Sequence, residues 1–284
     1  MPHGAYVHSG RVPVAAVLAG VVAGSVSGTL LGFLYAYVLA YTPLVGYLTA
    51  ILAVAFGACV GAVAALAMKH MKARSDSVVS MAALVAGLLA LWPTWAFWAQ
   101  AISRRLGTSV DITGLLLHPG LLARVLAAIN EVGPHVYAGV MQPRGTVLWV
   151  IWALECALVL AGSAFTAHAM LSAEVFCESC GAWARSMTDV ARLLADPETV
   201  RANLDSNGLE WIAGVKPPRS SEPDYVRIDL RECATCDFAA MTVLQVQERG
   251  DDNGKLRRHT SPIVAGLRVD PADVRAIRSL HRPE

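Results

Sequence analysis

Two short cysteine pairs carry the clearest chemistry in this sequence. The first lies in "FCESCGAW" and the second in "ECATCDF", and in each pair two residues separate the thiols. That spacing lets one backbone turn present both sulfurs to a single ion, and Zn(II) takes four tetrahedral ligands. We therefore predict one Zn(II) site built from both pairs, Cys177, Cys180, Cys233 and Cys236.

Two alternatives to this zinc site stay open. One pair can be a redox dithiol and the other incidental, or the four thiols can hold iron as in rubredoxin. "CESCG" matches a rubredoxin knuckle, whereas "CATCD" lacks the small residue that turns backbone amides toward the sulfurs. Ligand chemistry therefore favours zinc over iron. Cys59 and Cys156 lie in apolar runs, where a lone cysteine is typically a small buried hydrophobe.

Strand patterns flank the second cysteine pair. "YVRIDL" alternates apolar and charged residues, and "FAAMTVLQVQ" is a β-rich run. "DDNG" at 251–254 predicts a hairpin turn into "KLRRHT". Knuckle, strand and hairpin in this order are typical of a zinc ribbon.

The segment between the pairs, residues 181–232, is predicted to be an insertion with two helices. "WARSMTDVARLLA" spaces Met187, Val190 and Leu193 helically, and Asp196 with Pro197 is typical of the start of a second short helix. "KPPRSSEP" predicts a loop back to the sheet. A last helix is expected in "DPADVRAIRSL". Metal binding worth roughly 10 kcal/mol or more can exceed the whole net stability of so small a domain.

Composition divides the chain near residue 173. Apolar residues make up 55% of the sequence and mean hydropathy is +0.48, values that indicate an integral membrane protein. Residues 1–173 hold only four of the 22 acids, so the remaining acids lie in the last part of the chain. We predict a mostly α membrane domain over 1–173 and a small α+β zinc-ribbon-like domain over 174–284.

Four transmembrane helices are expected in the first domain. No charged residue occurs between Arg11 and Lys69, a run about twice the ~20 residues that one span needs. "YTPLVGY" divides it, because Pro43 and Gly46 permit a tight turn. The first run is also too long for a signal-peptide core. The predicted spans are 12–40, 44–68, 78–102 and 146–171.

The connection between the third and fourth spans contains an amphipathic segment, about 119–132. "PGLLARVLAAINEV" places its apolar residues on one helical face. Two interpretations stay open: a helix lying on the membrane surface, and a short helix packed back against the spans.

Four spans put both termini on one side of the membrane. Basic residues in the loops nearly cancel between the two sides, so charge leaves the orientation undecided. The cysteine pairs favour a reducing compartment, where thiols stay free to bind metal. We therefore expect an inner (plasma) membrane protein with both termini cytoplasmic.

Small residues recur every fourth position in the first two spans. Such glycine zippers let helix backbones touch, and they serve either to pack subunits around a pore or to dock spans within one chain. Docking within the chain is the preferred interpretation, and a homo-oligomer stays possible. The positions are Gly20, Gly24, Gly28, Gly32, Gly57 and Gly61.

One acid, Glu155, is predicted to lie near the middle of the bilayer. An ionised carboxylate is costly there, so we expect a neutral acid hydrogen-bonded to a hydroxyl or an indole. It serves either as interhelical glue or as a proton or ion relay. The polar residues expected at its depth are Ser25, Ser27 and Thr29 in the first span.

In outline the chain resembles a group of uncharacterised bacterial four-span membrane proteins that carry a cytoplasmic zinc-ribbon-like tail. The resemblance rests on "YTPLVGY", "LWVIWALE", "FCESCGAW" and "CATC" followed by a β-rich run. It implies the fold and the topology, and it implies no activity.

Three function classes follow from these features. The first is a membrane-anchored binding or scaffold protein whose zinc-stabilised tail docks a cytosolic or membrane protein partner. The second is a small transporter or channel that uses Glu155 and the glycine helices. The third is a membrane-bound rubredoxin-like or thiol redox protein. The acidic excess of the tail argues against nucleic acid, and no common catalytic motif occurs in the sequence, so we expect binding more than catalysis.

Overall fold

The chain forms two compact units. The computed structural model describes residues 4–42, 47–133, 143–207, 209, 211–212, 215, 224–250 and 256–279. One unit is Ser9–Ala173, and the other combines Met1–His8 with Glu174–Glu284. We call them the membrane domain and the extramembrane domain.

The membrane domain consists of helices. Four of them are long and apolar enough to cross a membrane, as the sequence predicts. Their side chains are mostly Leu, Val, Ala and Gly, and a helix satisfies every backbone polar group within itself. The helices are α1 (Val14–Tyr41), α2 (Tyr47–His70), α3 (Asp76–Arg105), α4 (Ile112–Leu117), α5 (Pro119–Val132) and α6 (Thr146–Ser172). The predicted turn at Pro43 and Gly46 lies outside the described residues.

Glycines set the spacing between these helices. A side chain added at Gly24 of α1 would lie 2.8 Å from the Cβ of Ala86 in α3 and 3.1 Å from the Cβ of Ala64 in α2. In α2, side chains added at Gly57 and Gly61 would overlap backbone carbonyls of α6. The α1 glycines therefore lie against α2 and α3, and the α2 glycines lie against α6, all within one chain.

Helix α5 is packed back against the spans. Its Leu122 and Ile129 are buried in one apolar cluster with Ile102 of α3 and Trp152 of α6. The opposite side chain Arg124 is exposed. Of the two interpretations of the amphipathic segment, this burial favours the packed helix.

The extramembrane domain is built on antiparallel strands. Strands β1 (Phe176–Cys177) and β2 (Ala182–Trp183) form a small hairpin. The remaining elements of this domain are β3 (Arg185–Leu193), α7 (Pro197–Asn207), β4 (Asp224–Glu232), β5 (Ala239–Gly250), β6 (Leu256–Val269) and α8 (Pro271–Ser279). The four strands form a second sheet with the order β3-β4-β5-β6. The fold class, a helical membrane domain followed by a small α+β domain, is confirmed.

Several local predictions in this domain are confirmed. The alternation in "YVRIDL" becomes β4, where Val226, Ile228 and Leu230 are buried. They pack with Val200 of α7 and Ile277 of α8 in one core. The "DDNG" turn at 251–254 and the whole of "KPPRSSEP" lie outside the described residues.

The helix predicted over "WARSMTDVARLLA" is wrong, because this segment is strand β3. Its pairing with β4 shifts between Met187 and Ala191, where Asp189 adopts a left-handed φ of 61°. The Asp189 N–H donates to Asp229 Oδ1 at 2.7 Å, which holds the bulge. Four positions of β3, from Met187 to Ala191, span only two positions of β4, from Leu230 to Ile228. The apolar Val190 lies inside this bulge, so the apolar spacing resembles that of a helix. The insertion between the cysteine pairs keeps one predicted helix, α7.

Candidate metal centre

The first cysteine pair sits on the β1–β2 hairpin. Phe176 pairs with Trp183, and Cys177 pairs with Ala182. Gly181 has a φ of 62°, a left-handed conformation that glycine adopts without strain, and it closes the turn after Cys180. The hairpin therefore fixes the positions from which both thiols of the first pair leave the backbone.

The second pair occupies the tight connection between β4 and β5. Glu232 pairs with Ala239 at the ends of the two strands. The Cys233 N–H donates to the Phe238 carbonyl at 2.9 Å, and the Thr235 N–H donates to Cys233 Sγ at 3.5 Å. The turn is thus held by hydrogen bonds of its own backbone.

The two pairs meet in space. The four Sγ atoms lie within 4.8 Å of one another, and Cys177 Sγ is 3.5 Å from Cys236 Sγ. Tetrahedral zinc with Zn–S bonds of about 2.3 Å requires sulfurs about 3.8 Å apart. The observed cluster therefore has the size that a tetrathiolate ion needs, and the donor set suits zinc or iron. Cys177 and Cys233 are buried, whereas Cys236 is exposed.

Proton affinity differs among three of the thiols. The Thr235 N–H bonded to its sulfur lowers the pKa of Cys233 to about 6. Burial raises the pKa of Cys177, and hydrogen bonding with the Cys236 thiol raises the pKa of Cys180 to about 12. Of these three thiols, Cys233 therefore loses its proton most readily. A metal ion that binds here displaces the remaining protons, so its affinity rises with pH.

Glu155 in the membrane domain meets a hydroxyl, as predicted, but on a residue that the sequence analysis did not name. Glu155 on α6 accepts a hydrogen bond from the phenol of Tyr35 on α1. The Tyr35 ring stacks on Phe56 of α2, with ring centroids 5.0 Å apart. The hydrogen bond thus joins α1 to α6, and the ring contact adds α2.

The predicted neighbours Ser25, Ser27 and Thr29 do not bond to Glu155. Ser27 Oγ donates to the Gly24 carbonyl, and Thr29 Oγ1 donates to the Ser25 carbonyl, both on their own helix. Short hydroxyl side chains commonly return to their own backbone in this way. A tyrosine reaches further, which is why its phenol and not a serine hydroxyl meets the acid.

Two functional neighbours escaped sequence reasoning, namely Tyr35 and the N-terminal Tyr6. Tyr35 lies in "LYAYVLAY", and a polar aromatic inside an apolar span is itself a signal for a buried partner. Tyr6 Oη accepts a hydrogen bond from the Phe176 N–H at 2.9 Å, beside the first cysteine pair. Nothing local in "GAYVHSG" indicates a partner 170 residues away.

No family model, curated protein or solved structure matches this chain. The bacterial family that the motifs suggest therefore stays a prediction. The four-thiol cluster and the Tyr35–Glu155 pair are the features on which a function has to be built.

Proposed function

We propose that this chain is a membrane-anchored binding protein whose Zn(II)-stabilised extramembrane domain docks a protein partner at the cytoplasmic face of a bacterial inner membrane. The carrying observation is the closed set of four sulfurs within 4.8 Å of one another. Cys177, Cys180, Cys233 and Cys236 would hold the ion, which supplies cross-linking between two turns. Four thiolates fill every tetrahedral position, an arrangement typical of structural sites, whereas catalytic zinc keeps one position open.

The cytoplasmic placement rests on the cysteine pairs, because thiols that are to bind metal need a reducing compartment. Ala5 pairs with Leu267, so the chain before α1 and the chain after α6 belong to one compact unit, which supports the same side for both. A cysteine placed at exposed Met71, in the loop after α2, should then be shielded from an impermeant maleimide in intact cells. One placed at exposed Ser109 should react.

Metal content is the first test of the proposal. Protein purified without chelators should contain one zinc per chain and no visible absorption, because zinc tetrathiolate is colourless. Stoichiometric iron with a red colour would instead support the rubredoxin-like redox alternative. Protein without stoichiometric metal would remove the basis of the proposal.

Partner docking requires a separate test. A photo-crosslinking residue replaces Leu194, which is exposed in the extramembrane domain, and in a matched control it replaces Leu117, which is exposed in α4. We expect a discrete protein adduct from position 194 in membranes, absent from position 117 and lost after zinc chelation. Scanning of further exposed extramembrane positions without any adduct, in zinc-loaded protein, would contradict docking.

The Tyr35–Glu155 hydrogen bond favours one second candidate, a small transporter or channel. Acids inside membrane helices are functional candidates because they are costly to keep there. Liposomes that contain wild type or Glu155→Gln separate the two readings. Proton or cation flux that the variant loses supports transport, and absence of flux in wild type leaves the pair as a link between helices.

A further inference from the structure

The residues that precede the first span extend the sheet of the extramembrane domain. Ala5 bridges Leu267 of β6 in antiparallel fashion. The Tyr6 N–H donates to the Gly266 carbonyl at 2.6 Å, and the Arg268 N–H donates to the Gly4 carbonyl at 3.2 Å. Residues 4–6 therefore act as a short extra strand on the edge of β6.

The side chain of Tyr6 connects the two cysteine pairs. Its hydroxyl accepts from the Phe176 N–H at 2.9 Å and also lies 3.4 Å from the Phe176 carbonyl, next to Cys177. Its ring meets Phe238 edge-on at 6.3 Å, and the Phe238 carbonyl accepts the N–H of Cys233. One residue thus contacts Phe176, which directly precedes Cys177, and Phe238, which is hydrogen-bonded to Cys233.

His8 extends this contact along the hairpin of the first pair. Its ring meets Trp183 edge-on at 6.3 Å, and Trp183 stands opposite Phe176 in the hairpin. Val7, between the two inward residues, is 75% exposed. The segment therefore alternates like a strand and presents Tyr6 and His8 to the metal centre.

We infer that residues 4–8 are a metal-linked latch, in which Tyr6 positions both cysteine turns for the ion and the bound ion in turn keeps the latch closed. This inference rests on the proposed zinc site. Coupling between two binding events is reciprocal, so whatever the latch adds to metal affinity, the metal adds to latch closure. Residues 9–13 separate the latch from α1.

The first experiment measures zinc transfer from full-length protein in detergent to a coloured chelator. Tyr6→Phe removes the hydroxyl that contacts the Phe176 backbone and lies 3.1 Å from His8 Nδ1. One hydrogen bond is worth about 1 kcal/mol, so release should be at least roughly fivefold faster. Tyr6→Ala should accelerate release about tenfold or more. The control Val7→Ala changes an exposed side chain of the same strand and should stay within about twofold of wild type.

A spectroscopic readout separates positioning from general loosening. With Co(II) replacing zinc, Tyr6→Ala should shift the visible ligand-field bands, and Val7→Ala should leave them unchanged. Circular dichroism should show the sheet retained in both variants. Stoichiometric zinc that leaves the Tyr6→Ala variant at the wild-type rate, with unchanged Co(II) bands, overturns the latch while the zinc site stands. Missing zinc in wild type overturns the proposed function itself.

The reverse direction is read from a spin label at Val7→Cys, with Cys59 and Cys156 changed to serine. With zinc bound, the label should show low mobility, because its strand is held by β6 and by the contacts of Tyr6 with the cysteine turns. Chelation should make it mobile, and added zinc should restore its order. A label whose mobility does not respond to chelation contradicts metal-linked closure.

Discussion

The two domains hold together by different means. In the membrane domain, glycines bring backbone onto backbone, so that Gly61 leaves no room for a side chain beside the Ser163 carbonyl. The extramembrane domain has an apolar core against its sheet and, in addition, a cluster of four thiols that are 4.8 Å or less apart. The first device is complete once the chain folds, whereas the second, on the proposed function, depends on a bound ion. Metal supply should therefore control one domain and leave the other intact.

The largest effect is expected from loss of a metal ligand. Cys233→Ser removes one of four sulfurs, and structural zinc contributes about 10 kcal/mol or more to such domains. Limited proteolysis should then cut within residues 174–284 and spare residues 9–173. Cys59→Ser, a thiol in α2, is the control and should behave like wild type. Equal protease resistance of both variants would show that the sheet core suffices without metal.

Acid should produce the same selective unfolding in wild type. A bound metal takes its cysteine ligands as thiolates, so binding releases protons and acid competes with the ion for the sulfurs. The stability that the metal contributes is therefore lost as pH falls. Zinc release and protease sensitivity of the extramembrane domain should therefore rise together as pH falls. Helical circular dichroism from the membrane domain should change little over the same range.

A glycine substitution should break the other domain. Gly61→Ala places a methyl group on the Ser163 carbonyl of α6, and backbone cannot yield as a flexible side chain can. We expect a loss of about 3 kcal/mol or more in resistance to denaturing detergent. Gly120→Ala in α5 meets nothing within 4 Å and is the matched control, expected to be neutral or slightly stabilising. Zinc content should be equal in both variants, and a loss of zinc in Gly61→Ala would show that the domains are coupled.

Local patterns predicted the parts of this fold that local physics determines. Long apolar runs gave the four spans, strict alternation in "YVRIDL" gave β4, and paired cysteines gave the candidate ligands. These features are readable because each depends on neighbours in the chain. The spacing of two cysteines on one turn is local, and only the meeting of the two turns required the fold.

Long-range contacts explain what was missed. Strand β3 was mistaken for a helix because Asp189 adds a bulge, and the bulge depends on the Asp229 carboxylate of another strand. The latch depends on pairing between Ala5 and Leu267, at opposite ends of the chain. The partner of Glu155 depends on which helices meet, and α6 lies against the glycines of α2. No local periodicity carries such pairings.

The smallest effect concerns the one described polar link between α1 and α6. Tyr35→Phe keeps the ring on Phe56 and removes the phenol that donates to Glu155. Hydrogen bonds between membrane helices contribute about 0.6 kcal/mol on average, so we expect a slight loss of stability, with Glu155→Gln similar in size. A double-mutant cycle in denaturing detergent measures the coupling of the pair.

The control is Tyr37→Phe on the same helix, where the ring contacts Phe33 and Tyr41 and no hydroxyl hydrogen bond occurs among the described residues. It should show no coupling to Glu155→Gln. Coupling of several kcal/mol between Tyr35 and Glu155 would contradict the view that glycine contacts hold the membrane domain together. A hydrogen bond would then contribute as much as the backbone packing. Zero coupling would show that the phenol and the carboxyl do not meet in the membrane. The small value expected between these limits leaves close backbone packing as the main source of cohesion among the spans.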